Sequence, residues 1–149
     1  MNPEHPEREP SKKPERRAFH TPPGAEAEHT VRRVLERLTS IDDELRIVDA
    51  FLTHGAGFAA YLHLNDTRPD DPNIAEKYEA VYADAWDSLD DLATDTIEAL
   101  GWREGLTEFM TTAGIPENYL TWNLTEAHGH LHDMYDFVEL DRLTHAFHK

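Results

Sequence analysis

The side chains with the most capacity for chemistry in this chain are carboxylates, and they recur at helical spacing. Asp87, Asp91, Asp95 and Glu98 follow i, i+4, i+8 and i+11, which places them in one ladder along a helix face. Glu76, Asp84 and Asp87, flanked by Glu79, carry the same spacing through the preceding segment, and Asp90 stands beside the ladder. Residues 66–98 hold eleven acids against Arg68 and Lys77, a net charge of −9. Like charges at i, i+4 cost a helix a few tenths of a kcal/mol each, so helix stability does not account for the stripe. Carboxylates four residues apart rise about 6 Å along a helix axis. A DNA strand shows one charge per roughly 3.4 Å of axis. Two neighbouring ladders therefore match duplex charge density in order of magnitude. Such groups would pair with the Lys and Arg of a cleft that normally grips DNA. The plainer alternative is a solvated face that keeps the protein in solution.

Histidines form the second cluster. His128, His130 and His132 lie together, beside Glu126 and Asp133 and upstream of His145 and His148. On a helix, His128 and His132 share a face at i, i+4, a spacing that can chelate a divalent ion; on a strand, all three would share one. No further ligand stands at a signature spacing, so surface and half-buried histidines near a C-terminal hairpin are expected, with no metal site. Catalytic motifs are missing. There is no Gly-rich phosphate loop, no GxSxG and no HExxH. Ser11, Ser40 and Ser88 are the only serines, and the last two sit at cap positions. The expectation is a protein without catalysis or cofactor.

The rest of the composition narrows the partner. The chain carries 30 acids and 14 bases over 149 residues, a net charge of −16. Residues 61–149 hold nineteen of those acids and five of the bases. Such a body repels nucleic acid and anionic membrane and attracts basic surfaces. Without cysteine there is no disulfide, zinc-thiolate site or thiol nucleophile, which agrees with a reducing cytoplasm. No run approaches the roughly 18 apolar residues of a membrane span, and residues 1–17 lack the apolar core of a secretory signal.

The elements that must hold these groups follow from periodicity and punctuation. Residues 1–29 contain six of the nine prolines and read as a disordered tail, with a basic cluster at Lys12, Lys13, Arg16 and Arg17. Val31, Val34, Leu35 and Leu38 make the apolar stripe of a helix capped by Thr30. Ser40 opens a second, with Ile41, Leu45, Val48 and Leu52 as its inner face, ending near Gly55 and Gly57. The apolar run Phe58 to Leu64 is helix or buried strand, with helix preferred. A polar turn at 65–72 precedes a helix over Asn73 to Ala85, capped by Asn73 and lined by Ile74, Tyr78, Val81 and Ala85. Ser88 to Leu100 forms the next, with Leu89, Leu92, Ala93, Ile97 and Leu100 inward and Gly101 closing it. Further helical turns are expected over Leu106 to Ala113, and a short helix over Glu126 to His132 under a Thr125 cap. Tyr135 to Leu140 and Leu143 to Phe147 alternate as strands and are expected to pair as a hairpin. The class is α+β and mostly helical: a 1–29 tail, a helical subdomain over 30–64, and an acidic α+β subdomain over 65–149.

Three segments bear a family likeness. Val81 to Ala93, Val-Tyr-Ala-Asp-Ala-Trp-Asp-Ser-Leu-Asp-Asp-Leu-Ala, resembles the aromatic, acidic and serine segment of the ArdA antirestriction family. Ile115 to Trp122, followed by Ala127-His128-Gly129, is similar to that family's closing region, and His54 to Leu62 to a stretch of its middle domain. The family's N-terminal sheet-containing domain has no counterpart in residues 1–30. Trp122-Asn123-Leu124 stands where members usually read Tyr-Ile-Asp. The resemblance implies an acidic cytoplasmic homodimer of plasmid or phage origin. It would mimic duplex DNA and block the DNA site of a restriction-modification enzyme. Glu76, Glu79, Asp84, Asp87, Asp90, Asp91, Asp95 and Glu98 would then stand in for phosphates. The alternative is an acidic interaction module or regulator that binds through an apolar surface around Trp86, Trp102 and Trp122.

Overall fold

Residues 24–149 are described by a computed structural model, and they fall into two units. The first takes residues 24–86 and 135–149; the second is the intervening stretch 87–134. Unit 1 begins with helices α1 (Ala25–Arg37), α2 (Ile41–His54), α3 (Ala56–Tyr61) and α4 (Ile74–Val81), then strand β1 (Tyr82–Trp86). Unit 2 holds α5 (Leu89–Ala99), α6 (Trp102–Ala113) and α7 (Leu124–Met134). The chain then returns to unit 1 as β2 (Tyr135–Leu140) and β3 (Leu143–His148). The mostly helical α+β class is observed. The division falls at Trp86 and Met134, where one was expected at residue 64. The basic cluster Lys12 to Arg17 lies outside the described residues.

Unit 1 is organised around its shortest helix. All six residues of α3 are buried, and Phe58, Ala59 and Ala60 have no accessible surface. Small residues make this possible. Gly55, at φ 71°, lets α2 end and α3 begin within one residue. Gly57 lets α4 and β1 approach, because a Cβ there would collide with the Tyr78 hydroxyl and the Tyr82 ring. Aromatic rings close the shell. Phe58 and Tyr61 meet Tyr78 edge-on at 5.7 and 5.6 Å, Tyr82 stacks on Tyr78 at 5.0 Å, and Phe147 meets Tyr61 and Tyr82 at 5.8 and 5.4 Å.

The hairpin expected at the C-terminal end is present and gains a third strand. The order is β1-β3-β2, with β3 antiparallel to both neighbours. Central position explains why Leu143 to Phe147 are all buried. Helix was expected through Ala85, but α4 stops at Val81. The tertiary pairing of β1 with β3 overrides a helical stripe only three turns long. Other boundaries also moved. α1 starts at Ala25, so Thr30 is mid-helix, and its hydroxyl instead meets His63 Nε2 at 2.8 Å. Asn73 does not cap α4 with its side chain. Its N–H donates instead to Asp71 Oδ1 at 2.8 Å, and Lys77 pairs with the same carboxylate and holds its pKa below the ordinary value. α7 is capped by Asn123, which accepts from Glu126 N at 3.1 Å, and not by Thr125.

The largest difference concerns α2. Its expected inner face points outward: Ile41, Leu45 and Leu52 are 69%, 62% and 78% exposed, while Ile47 and Ala50 enter the core. The helix has apolar residues on two faces, and periodicity selected the longer side chains. α3 accepts only the face that lets it come close.

The β2–β3 turn ties the two ends of unit 1 together. Asp141 and Arg142 both have positive φ, 50° and 71°, as a two-residue hairpin turn of this hand requires. Asp141 then caps α1 from a distance: its carboxylate accepts from Glu26 N and Ala27 N, both at 3.0 Å. Glu26 Oε1 returns the contact by accepting from Asp141 N at 2.7 Å. This is a capping box made in trans, seated against Gly24, where a Cβ would strike the Asp141 carboxylate. Asp141→Ala is expected to cost about 1 kcal/mol in denaturant unfolding, in the range of lost N-caps. Faster amide exchange at Glu26 and Ala27 should accompany it.

The core of unit 1 also holds an imidazole. His145 is fully buried on β3, with Nδ1 3.1 Å from the Tyr82 hydroxyl and Nε2 without a hydrogen-bond partner. Burial strips water from the imidazolium and lowers the pKa from 6.5 to about 4, with Asp141 opposing weakly. Between these values the unfolded chain binds a proton that the folded chain does not. Stability is therefore complete above about pH 6.5 and falls on acidification towards pH 4, by about 3 kcal/mol in total. Urea unfolding of the parent and of His145→Gln at pH 7 and 4.5 checks this: the parent should lose more stability than the variant across that interval.

Candidate functional site

The acidic face is built on α5. Ser88 Oγ accepts from Asp91 N at 3.1 Å and starts the helix where expected. Leu92, Ala93 and Ile97 are buried and fix its rotation. The same rotation puts Asp91, Asp95 and Glu98 on the exposed side at i, i+4 and i+7, with Asp90 exposed beside them. Asp90 and Asp91 sit in the first turn, where the helix dipole favours anions. Glu98 sits in the last turn, where the dipole disfavours them, and Arg103 Nε comes within 3.3 Å of it. Unit 2 as a whole holds ten acids against Arg103 alone, a net charge of −9.

The remaining expected positions divide. Glu76 and Glu79 are exposed on α4 in unit 1, and Glu79 Oε2 lies 3.1 Å from His54 Nε2. Asp87 is exposed in the bend before Ser88, ahead of the helix, so it does not extend the α5 ladder. Asp84 is a correction. It is 4% exposed on β1, and its Oδ1 accepts from Ala85 N at 2.8 Å. The bulge between Tyr82 and Asp84 places it in the sheet, so it cannot present a charge to a partner. Seven of the eight carboxylates are thus exposed, two on unit 1 and five on unit 2.

The histidines divide between the two units. His128, His130 and His132 lie on α7 in unit 2, and His145 and His148 on β3 in unit 1. His128 Nε2 contacts Asp90 Oδ1 at 2.7 Å. Among the described residues no group of three His, Asp or Glu side chains could hold a metal ion.

Periodicity did not reveal a groove in unit 2. It encloses about 810 Å³ and is lined by Leu106, Met110, Ile115, Leu120 and Trp122, with the Arg103 guanidinium 6.0 Å from the Trp122 ring centroid. Its wall at 115–122 has no regular structure, so no repeat in the sequence marks it. Of the three tryptophans considered for an apolar surface, Trp122 lines this groove, Trp102 is exposed at the start of α6, and Trp86 closes β1 in unit 1.

No protein-family model, curated protein or solved structure matches the chain. The carboxylate row depends on the Ser88 cap. Ser88→Ala is expected to cost unit 2 about 1 kcal/mol. Exchange of the α5 amides should quicken while those of α3 stay unchanged.

Proposed function

We infer that this is a binding protein whose exposed carboxylates occupy a cationic cleft that otherwise holds duplex DNA. The observation that carries this is the α5 row, Asp91, Asp95 and Glu98, on a unit with a single basic residue among its lysines and arginines. The row continues into the last turn against the helix dipole. Steps of about 6 and 4.5 Å along the axis are of the order of the charge spacing that lysines and arginines meet on a DNA strand. Asp87 and Asp90 add charge beside it, and Glu76 and Glu79 present a second acidic pair on unit 1. The resemblance of residues 54–62, 81–93, 115–122 and 127–129 to the antirestriction family makes a restriction-modification enzyme in a bacterial cytoplasm the target to try first. No catalysis and no cofactor enters this reading.

The groove at Trp122 favours a second function, an interaction module that takes an apolar side chain of its partner. Competition separates the two, because duplex DNA displaces a mimic and leaves a groove-bound partner in place.

The test is duplex binding by a purified type I restriction enzyme, followed by fluorescence anisotropy as this protein is added. The parent should displace the duplex, and raising salt from about 50 to 200 mM should weaken it steeply. The triple variant Asp91→Asn, Asp95→Asn, Glu98→Gln should keep its helical circular dichroism and compete at least about tenfold less well, a difference of roughly 1.4 kcal/mol. Equal competition by the triple variant would sink the carboxylate row as the contact.

A further inference from the structure

Among the described residues, the outward face of α2 is an apolar seam that unit 1 leaves exposed. Ile41, Leu45, Val48 and Leu52 are spaced 4-3-4, which is the d-a-d-a order of a helix that packs against another helix. Three of the four are among the most exposed large apolar side chains of the unit, and Val48 is half-buried. The opposite face, through Ile47 and Ala50, is already spent on the core. Scattered single exposed leucines need no explanation, but a continuous row at packing period does. The seam spans twelve residues, about 16 Å or three turns, the length of a short helical ligand.

The flanks indicate what kind of helix fits. In heptad terms the positions beside the seam are Asp42 and Asp49 on one side, and Glu44 and Phe51 on the other. Every charged flank is acidic, and Arg46 points away into a 2.7 Å pair with Asp43. A second copy packed antiparallel would bring Asp42 and Asp49 against their own equivalents. A parallel copy would set Glu44 against Asp49. Both arrangements oppose like charges. A helix with lysine or arginine beside its own apolar row meets both the seam and its borders.

We propose that the Ile41-Leu45-Val48-Leu52 face of α2 is a docking seam for an amphipathic helix of a partner protein that carries basic residues flanking its apolar positions. It stands on a different unit from the α5 carboxylates and does not depend on them.

The probe is a synthetic fourteen-residue peptide with leucine at the four seam positions and lysine at the flanks, titrated into the full chain by calorimetry. A twin peptide with glutamate flanks is the control. The lysine peptide should bind one to one, and the glutamate peptide at least tenfold more weakly. Leu45→Gln with Leu52→Gln should reduce binding at least tenfold and leave thermal unfolding unchanged, because both side chains already face solvent. Leu52→Gln alone, at the most exposed position, serves if the double variant does not fold. Asp91→Asn with Asp95→Asn should leave peptide binding as it was. Failure of the lysine peptide to bind, equal binding of the two peptides, or unchanged binding by the seam variants overturns the proposal. So does loss of binding in the Asp91 and Asp95 variant, which would mean general attraction to the acidic unit. Sedimentation of the protein alone decides the remaining occupant: a dimer that Leu52→Gln dissociates would mean that a second copy fills the seam, and the basic-partner proposal falls.

Discussion

The close approach of backbone to backbone around α3 is the constraint on which unit 1 depends. A helix of six residues cannot sustain itself in water, since its nucleation cost is barely recovered. Here it persists because every side of it is covered by neighbours. Alanine and glycine at positions 56, 57, 59 and 60 thin the helix, so that α2, α4 and the sheet can all reach it. Phe58 and Tyr61 supply the bulk that fills the gaps between them. The arrangement is stringent: small residues permit approach, large ones hold distance, and exchanging their places would spoil both.

That stringency explains what periodicity could and could not disclose. Helix starts with a side-chain cap were legible. Ser40 and Ser88 start α2 and α5 where their spacing to Asp43 and Asp91 requires. Leu92, Ala93 and Ile97 identified the buried side of α5, and with it the exposed side that carries the carboxylates. The two C-terminal strands followed from alternation. Where two faces were apolar, as on α2, side-chain size misled, because the decisive neighbour prefers Ala50 to Leu45 or Leu52. Where pairing was long-range, as between β1 and β3, nothing local marked the switch from helix to strand after Val81. Asp84 was misplaced for the same reason. The spacing that set it on a ladder assumed a helix that the sheet replaces.

Core and charge are kept apart in this protein. The acids that matter most to its surface lie on a unit with few buried residues, Leu92, Ala93, Ile97, Met110 and Leu131. The aromatic cluster lies in the other. Unit 2 therefore carries a large charge on a small core. Local opening is easiest in such a region.

The splitting of unit 1 in sequence has a consequence for how the protein is made. β1 ends at Trp86, yet Phe147, which packs on Tyr61 and Tyr82, arrives some sixty residues later. Asp141, the trans cap of α1, is similarly late. At roughly 5–20 residues per second, the ribosome exposes helices α1 to α4 for several seconds before the strand that completes them emerges. During that interval Tyr61, Tyr78 and Tyr82 have an open side. The intervening helices α5, α6 and α7, by contrast, pack on one another within a short stretch of chain. Unit 1 is therefore completed only after the whole of unit 2 has been synthesised.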